Sequence, residues 1–319
     1  MRVCEYITSS MRFFKHPSVI NCKDEKPSVV CIGNFDAVHL GHQTLIKRAK
    51  AIAQQNLQAV TCVFEPQPKE FFLKGKAPNR ITNLRNKLHW LEQYKVDVAY
   101  CVDFNKSIQT LSAKQFVDQI LIKQLNAKAI IVGDDFRFGC NRDGDFKFLT
   151  DYLKPMGVYV EQAQSVILNN ERISSSMIRE CLNKGDITTT NQLLGRTYSI
   201  IGKVVKGKQL GRTINTPTAN ISLKTKLPAI DGVWACRVSI DNKDYDAVAN
   251  VGARPTVDSL KPILEVHILD FDQDIYDRII ETRFVEKIRD IHKFNSLDEL
   301  KAQIQQDIKQ AKTIFQQAN

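Results

Sequence analysis

Gly33-Asn34-Phe35-Asp36-Ala37-Val38-His39-Leu40-Gly41-His42 is the stretch on which the fold of this chain turns. It follows Val29-Val30-Cys31-Ile32, an apolar run that reads as a buried parallel strand. It precedes Leu45, Ile46, Ala49, Ile52 and Ala53, which fall on one face of a helix. Two imidazoles three residues apart, with a glycine between them, therefore sit at a strand-to-helix turn. Such turns bind phosphates in α/β proteins, because a helix N-terminus offers N–H groups and a positive dipole end. Histidines placed there can hydrogen-bond a nucleotide's phosphates while charge builds on a departing pyrophosphate, which points to nucleotidyl transfer.

Outward from this turn, further strand-like runs occur at Ala59–Phe64, Val96–Val102, Ala129–Val132 and Val158–Val160. Helical patterns separate them, among them Asn83–Tyr94 and Ser112–Leu125, the latter opening on a Ser112/Gln115 capping box. A strand and a helix about every 30 residues is the signature of βαβ units, so the first half is expected to be a doubly wound α/β domain. Near Leu194-Gly195-Arg196 the pattern shifts to shorter strands at Tyr198–Val205, Val233–Ile240, Tyr245–Val251, Ile263–Leu269 and Arg278–Phe284. Turns such as Asp231-Gly232 and Asp241-Asn242 punctuate them, and this half reads as an antiparallel β-barrel or sandwich. A last helix is capped by Ser296 and Glu299 and carries the apolar stripe Leu297, Leu300, Ile304, Ile308, Ala311 and Phe315. The boundary falls near 183–195, giving domains 1–185 and 186–319.

The 319 residues suit two domains, and 43% apolar with 25% charged residues is ordinary for a soluble globular chain. Neither a membrane-spanning run nor a secretory signal is visible, and the eight cysteines form no C-x-x-C pair, so a cytoplasmic protein with reduced thiols and no zinc site is expected. The net charge of +10 is dispersed rather than gathered in a block, which fits anionic small substrates better than a nucleic-acid partner or a membrane surface.

Other segments carry chemistry. Phe64-Glu65-Pro66-Gln67-Pro68 leaves the second of these strands, stiffened by its prolines. Gly133-Asp134-Asp135-Phe136-Arg137-Phe138-Gly139 offers rings to stack on a planar ligand and a guanidinium to grip phosphate. Arg172-Ile173-Ser174-Ser175-Ser176-Met177-Ile178-Arg179 places hydroxyls between two arginines, a set that can hold a triphosphate. In the second half, a glycine-spaced basic stretch runs from Gly202 through Lys208 and Gly211 to Arg212 and can approach phosphates. In Pro217-Thr218-Ala219-Asn220, Thr218 and Asn220 point the same way and suit Mg²⁺ beside ATP phosphates. Glu265, within a strand, can take a proton from an attacking alcohol if it faces that edge, whereas His267 reads as structural. Asn250–Thr256 adds a polar strand end whose role spacing does not fix.

In this order, the segments resemble the bacterial bifunctional riboflavin kinase/FAD synthetase family, from about Val29 to Asp307. The resemblance implies an N-terminal nucleotidyltransferase-like module that adenylylates FMN. It also implies a C-terminal six-stranded β-barrel that phosphorylates riboflavin, with ATP and Mg²⁺ required in both steps. By the same resemblance His39 and His42 contact ATP phosphates and the transition state, within a loop that includes Gly33, Asn34, Phe35 and Asp36. Arg172, Ser175, Ser176 and Arg179 close over the nucleotide. Phe64, Pro66, Pro68, Asp135, Phe136 and Arg137 lie on the flavin side. Thr218 and Asn220 match the kinase's Mg²⁺/ATP ligands and Glu265 its catalytic base, while Arg289 and the last helix match the C-terminal region. A monomer or weak oligomer is expected.

Four positions depart from the family pattern. Ala37 stands where glycine is usual, Ser176 where threonine is commoner, and Asn215-Thr216 where a glycine–aromatic pair is usual. Two other readings compete. A single-activity nucleotidyltransferase leaves Pro217–Asn220 and Glu265 without employment, and a basic nucleic-acid-binding protein leaves the histidine pair without a role.

Overall fold

The computed structural model describes residues 11–15, 26–54, 56–207, 216–223, 227–255 and 260–317. The chain divides into two compact units, one of Met1–Pro78 with Lys87–Ser174 and the other of Asn79–Asn86 with Ser175–Asn319.

The first unit runs β1 (Arg12–Lys15), β2 (Ser28–Ile32), α1 (Leu40–Ile52), β3 (Gln58–Glu65), α2 (Pro68–Leu73), α3 (Leu84–Gln93, whose first turn belongs to the second unit) and β4 (Val98–Asp103). It continues through α4 (Lys106–Gln109), α5 (Ala113–Phe116), β5 (Ala127–Val132), α6 (Phe146–Leu153), β6 (Tyr159–Gln162) and the short strands β7 (Ile167–Leu168) and β8 (Glu171–Arg172). Six strands form one sheet in the order β1-β4-β3-β2-β5-β6, and every pairing is parallel. All of β2 is buried, as expected of a parallel strand covered on both faces. The chain steps outward from β2 to β3 and β4, then returns to lay β5 on the other side of β2. The crevice at the carboxyl ends of β2 and β5 is thus the topological switch point, where open α/β sheets bind ligands. The Ser112/Gln115 capping box is present, but the helix it opens continues past α5 as π-helical Val117–Gln124.

The sheet's thiols fit the expected reduced core. Burial pushes the Cys31 and Cys101 thiols up to about 12 and raises that of Cys62, while burial does the same to Cys236 in the second unit. Since the thiolate is the reactive form, these four cysteines should resist a disulfide reagent at pH 8. Labelling should be more than about a hundredfold slower than in denaturant. Peptide mass mapping before and after unfolding checks this; rapid native labelling of any of the four contradicts it.

The second unit begins with α7 (Ser175–Lys184) and α8 (Ile187–Leu194). Six antiparallel strands follow: β9 (Ser199–Val205), β10 (Ala219–Ile221), β11 (Gly232–Ile240), β12 (Lys243–Pro255), β13 (Leu260–Ile268) and β14 (Ile279–Arg289). Of the two expected architectures, the barrel is the one found. Its order is β10-β13-β12-β11-β14-β9, closed by the pairing of Asn220 with Val205. Trp234, Phe284 and Tyr198 fill the interior, with ring centroids 5.6 and 5.8 Å from that of Phe284. Along β13 the expected alternation holds: Leu264, Val266 and Ile268 are buried, and Glu265 and His267 point to the opposite, outer face.

The last helix, α9 (Leu297–Gln317), packs Ala311, Ile314 and Phe315 against Ala235 and Leu269 on that outer face. Leu297, the first member of the expected stripe, is 65% exposed. Ser296 caps the helix as read, but Glu299 reaches back to the Asn295 N–H. Arg289 grips Asp307 of α9 through two parallel bonds of 2.9 and 2.8 Å, and Gln303 donates to the same carboxylate.

Residues 79–86 are built into this second unit. Asn86 donates to the Ser199 carbonyl and accepts from the Ile201 N–H, at 3.0 and 3.1 Å. The Tyr198 hydroxyl donates to the Ile81 carbonyl, and Arg80 exchanges backbone bonds with Leu227 and Ala229.

Candidate active sites

At the end of β2 the chain makes a turn in which Phe35, Ala37 and Val38 all have positive φ, at 47°, 82° and 46°. Such a backbone is costly for residues with side chains and persists where its surroundings over-determine it. Here the Gly33 N–H is held by the Cys62 carbonyl, the Val38 N–H by the Phe35 carbonyl, and the Val38 carbonyl by Gln43 Nε2. The departure at Ala37 therefore falls on the position with the largest positive φ of the turn, with the methyl fully buried.

His39 is the N-cap of α1, its Nδ1 accepting from the backbone N–H of His42. The two imidazoles stack with centroids 3.7 Å apart and planes 21° apart, and Phe35 backs His42 at 5.0 Å. A side chain at Gly41 would stand 3.2 Å from the His39 ring, so the imidazole packs close over the glycine at the helix start and would have to shift by a few tenths of an ångström to admit one. The same position faces the Ile173 carbonyl at 3.8 Å, which brings the Arg172-Ile173 segment against the turn. Imidazole donors joined to a helix N-terminus form a site for an anion.

The loop after β5 flanks this turn across the switch point. Phe136 stacks on Phe138 at 5.3 Å, and Arg137 pairs with Asp145 at 2.7 Å. The Phe148 N–H and the Arg137 charge hold the Asp145 carboxyl below its ordinary range. Arg172, at the end of β8, pairs with Asp134 at 2.6 Å and Asp135 at 3.0 Å. Phe64, one residue before the end of β3, is a core residue, 9% exposed, edge-on to Phe104. Pro66 follows a cis peptide bond and Pro68 begins α2. Asn34 and Asp36 lie in the turn, Asp36 almost wholly buried. Ser175, Ser176 and Arg179 belong to the second unit, where Arg179 donates to the carbonyls of Asn79 and Ser175.

In the barrel, register assembles what spacing only suggested. Asn220 on β10 is directly opposite Glu265 on β13, and Glu265 is directly opposite Asn250 on β12. Residues paired across antiparallel strands share a face, with Cβ atoms about 5 Å apart. Glu265 thus stands in a row between two asparagines and faces the Asn220 edge. Among the described residues, buried Asn250 Oδ1 has no hydrogen-bond partner, so Asn250 joins the candidate residues. Gly207 closes on this row: a side chain there would lie 2.3 Å from Asn220 Nδ2. At Gly202 a side chain would meet Ile221 at 2.2 Å, so that glycine serves strand packing. Lys208, Gly211 and Arg212 lie outside the described residues. His267 Nδ1 bonds the Pro217 carbonyl at 2.8 Å, anchoring the Thr218–Asn220 segment.

Asn220 of this row also lines a cavity of about 510 Å³. Val204, Val266 and Ile268 give it an apolar floor, and Thr218, Asn220, Asp272, Asp274 and Tyr276 give it a polar rim. The 271–276 loop is the element that sequence reading missed; its signal was the alternation of carboxylates with aromatics in Asp270-Phe271-Asp272-Gln273-Asp274-Ile275-Tyr276. Thr218 and Asn220 bring neutral hard oxygens, and among the described residues no group of three or more His, Cys, Asp or Glu is placed to hold a metal. That donor set fits a Mg²⁺ arriving with nucleotide phosphates and keeping most of its shell as water and phosphate.

Comparison with known proteins matches both halves of the chain. The family model described as FAD synthetase matches residues 21–177, and that described as riboflavin kinase matches 194–315. A bifunctional riboflavin kinase/FMN adenylyltransferase from Haemophilus influenzae is 43% identical over 286 residues, 89% of this chain and 93% of the relative. The protein of the same name from Escherichia coli is 42% identical over 289 residues, 90% of this chain and 92% of its own length. A crystal structure described as a macrolide-efflux protein from Streptococcus pneumoniae superimposes with a TM-score of 0.75 at 32% identity, over 94% of this chain and 98% of that one. With both units matched in order and over nearly their whole length, the chain belongs to the family of bifunctional riboflavin kinase/FMN adenylyltransferases.

Proposed function

We infer that the chain makes flavin cofactors in two ATP-dependent steps, phosphorylating riboflavin to FMN and then adenylylating FMN to FAD with release of pyrophosphate. The observation that carries the reading is the shared place of Asn220, which lines the barrel cavity and also stands directly opposite Glu265. A nucleotide in the cavity presents its phosphates at Thr218 and Asn220, and Asn220, paired across β10 and β13 with Glu265, links that cavity to the carboxylate. Glu265 takes the proton from the ribityl 5′-hydroxyl as that oxygen bonds to the γ-phosphorus and the bond to ADP breaks. Mg²⁺ held at Thr218 and Asn220 would supply charge neutralisation at the phosphate oxygens.

In the first unit, an FMN phosphate oxygen attacks the α-phosphorus of a second ATP. His39 and His42 stabilise the charge gathering on pyrophosphate, and Arg172 holds the phosphates of the bound ATP. Asp135, Phe136, Arg137, Pro66 and Pro68 take the flavin side; Phe64 supports it from beneath as part of the core. We assign adenylylation to residues 1–185 and the kinase to 186–319, in a cytoplasmic protein that is a monomer or weak oligomer. Among the described residues, no helix is long and apolar enough to cross a membrane.

Chromatography of purified protein incubated with riboflavin, ATP and Mg²⁺ tests the reading. FMN followed by FAD is expected; absence of both, together with no FAD from added FMN, overturns it.

A further inference from the structure

We propose that Asp134 is the positioning residue that fixes Arg172 for adenylyl transfer, an inference that rests on the first unit joining ATP to FMN. Asp134 is tied at three points. Its Oδ1 pairs with Arg172 Nη2 at 2.6 Å, its Oδ2 accepts from the Ser165 hydroxyl at 2.5 Å, and its backbone carbonyl accepts from Gln162 at 3.3 Å. These partners are the end of β6, the entry to the β7–β8 hairpin and the exit from it. One carboxylate therefore clasps both feet of a hairpin whose turn, Asn169-Asn170, has positive φ at both residues. The exit foot is fixed again by the Ile173 N–H on the Val166 carbonyl, and the Ile173 carbonyl faces Gly41 of the histidine turn. Asp134 thus sets where the Arg172 stem leaves the hairpin and which way its guanidinium faces.

Asp135 plays a different part. It touches the same Nη2 at 3.0 Å, but its side chain is 74% exposed, against 39% for Asp134. An arriving phosphate can replace Asp135 without disturbing the hairpin. Replacing Asp134 would cost the Ser165 bond as well. A guanidinium carries five N–H donors, so Arg172 can keep Asp134 on one nitrogen and offer the rest to phosphate.

The test is steady-state FMN adenylylation by the full-length chain, with FMN saturating and ATP varied. Asp134→Ala is expected to raise KM for ATP roughly tenfold, leaving kcat and KM for FMN within about twofold. Riboflavin phosphorylation by the same preparation should be unchanged, which reports that the variant is folded. Asp134→Asn, which keeps an acceptor but loses the charge, should fall between. The double variant with Arg172→Ala should match Arg172→Ala alone, because a residue acting through Arg172 adds nothing once it is gone. An unchanged KM overturns the proposal, as does a double variant in which the two effects multiply. A lowered KM also overturns it, since Asp134 would then be masking Arg172 from ATP. If Asp134→Ala loses both activities, Ser165→Ala carries the test: a smaller rise in the same KM is expected, and no rise overturns it. Failure of the wild-type chain to make FAD would instead remove the underlying functional reading.

Discussion

Glu265→Gln abolishes FMN formation from riboflavin and ATP while conversion of added FMN to FAD continues at the wild-type rate. Glutamine keeps the side chain's size and its place between Asn220 and Asn250, so the row across β10, β13 and β12 stays intact. What it loses is the ability to take a proton. A positioned general base supplies about 10²–10⁴-fold in rate, so kcat for the kinase should fall at least about a hundredfold, with KM values little changed. FMN adenylylation draws on the histidine turn of the other unit and serves as the control within one tube. If riboflavin phosphorylation survives within about threefold, Glu265 is not the base. Another group on the Asn220 edge would then have to accept the proton.

His42→Ala should do the reverse. The cap of α1 is made by the backbone N–H of residue 42 to His39 Nδ1, and alanine keeps that donor, so the helix start survives. Lost are one imidazole and its 3.7 Å stack on His39. Removing one preorganised donor to developing charge costs about 10²–10³-fold in kcat, and FAD formation should drop by that factor while FMN still accumulates from riboflavin. Product ratios by chromatography decide the matter. Loss of both activities would mean that the two sites do not act independently.

The histidine turn is legible in the residue order alone because it joins two periodicities, a buried apolar run and then a helical stripe. Its backbone is not legible there: nothing in the residue types of Phe35, Ala37 and Val38 announces a positive φ, which the fixed ends of β2 and α1 impose. The barrel shows the same limit in another form. Alternation marks Glu265 as facing away from Leu264 and Val266, but it carries no register, so the opposition of Asn220, Glu265 and Asn250 emerges only when strands pair. Asn250 is visible as a polar strand end and acquires a role from its neighbours alone. Phe64 reads as a rim residue because it sits beside prolines at a strand end; packing against Phe104 and Phe116 places it in the core. The β7–β8 hairpin, two residues per strand, is too short for any periodicity to register.

The octapeptide 79–86 has a bearing on how this chain can be taken apart. No single cut separates its two compact units, because the second borrows a piece from the middle of the first. A fragment starting at residue 186 leaves behind the amide of Asn86, which bridges the Ser199 carbonyl and the Ile201 N–H, and the carbonyl that receives the Tyr198 hydroxyl. Each orphaned buried group carries a penalty of about 1–3 kcal/mol, a large share of what holds a domain of this size together. Fusion of the two enzymes is therefore more than a tether: at the level of peptide bonds they are spliced, and neither can be inherited, excised or swapped as a clean cassette.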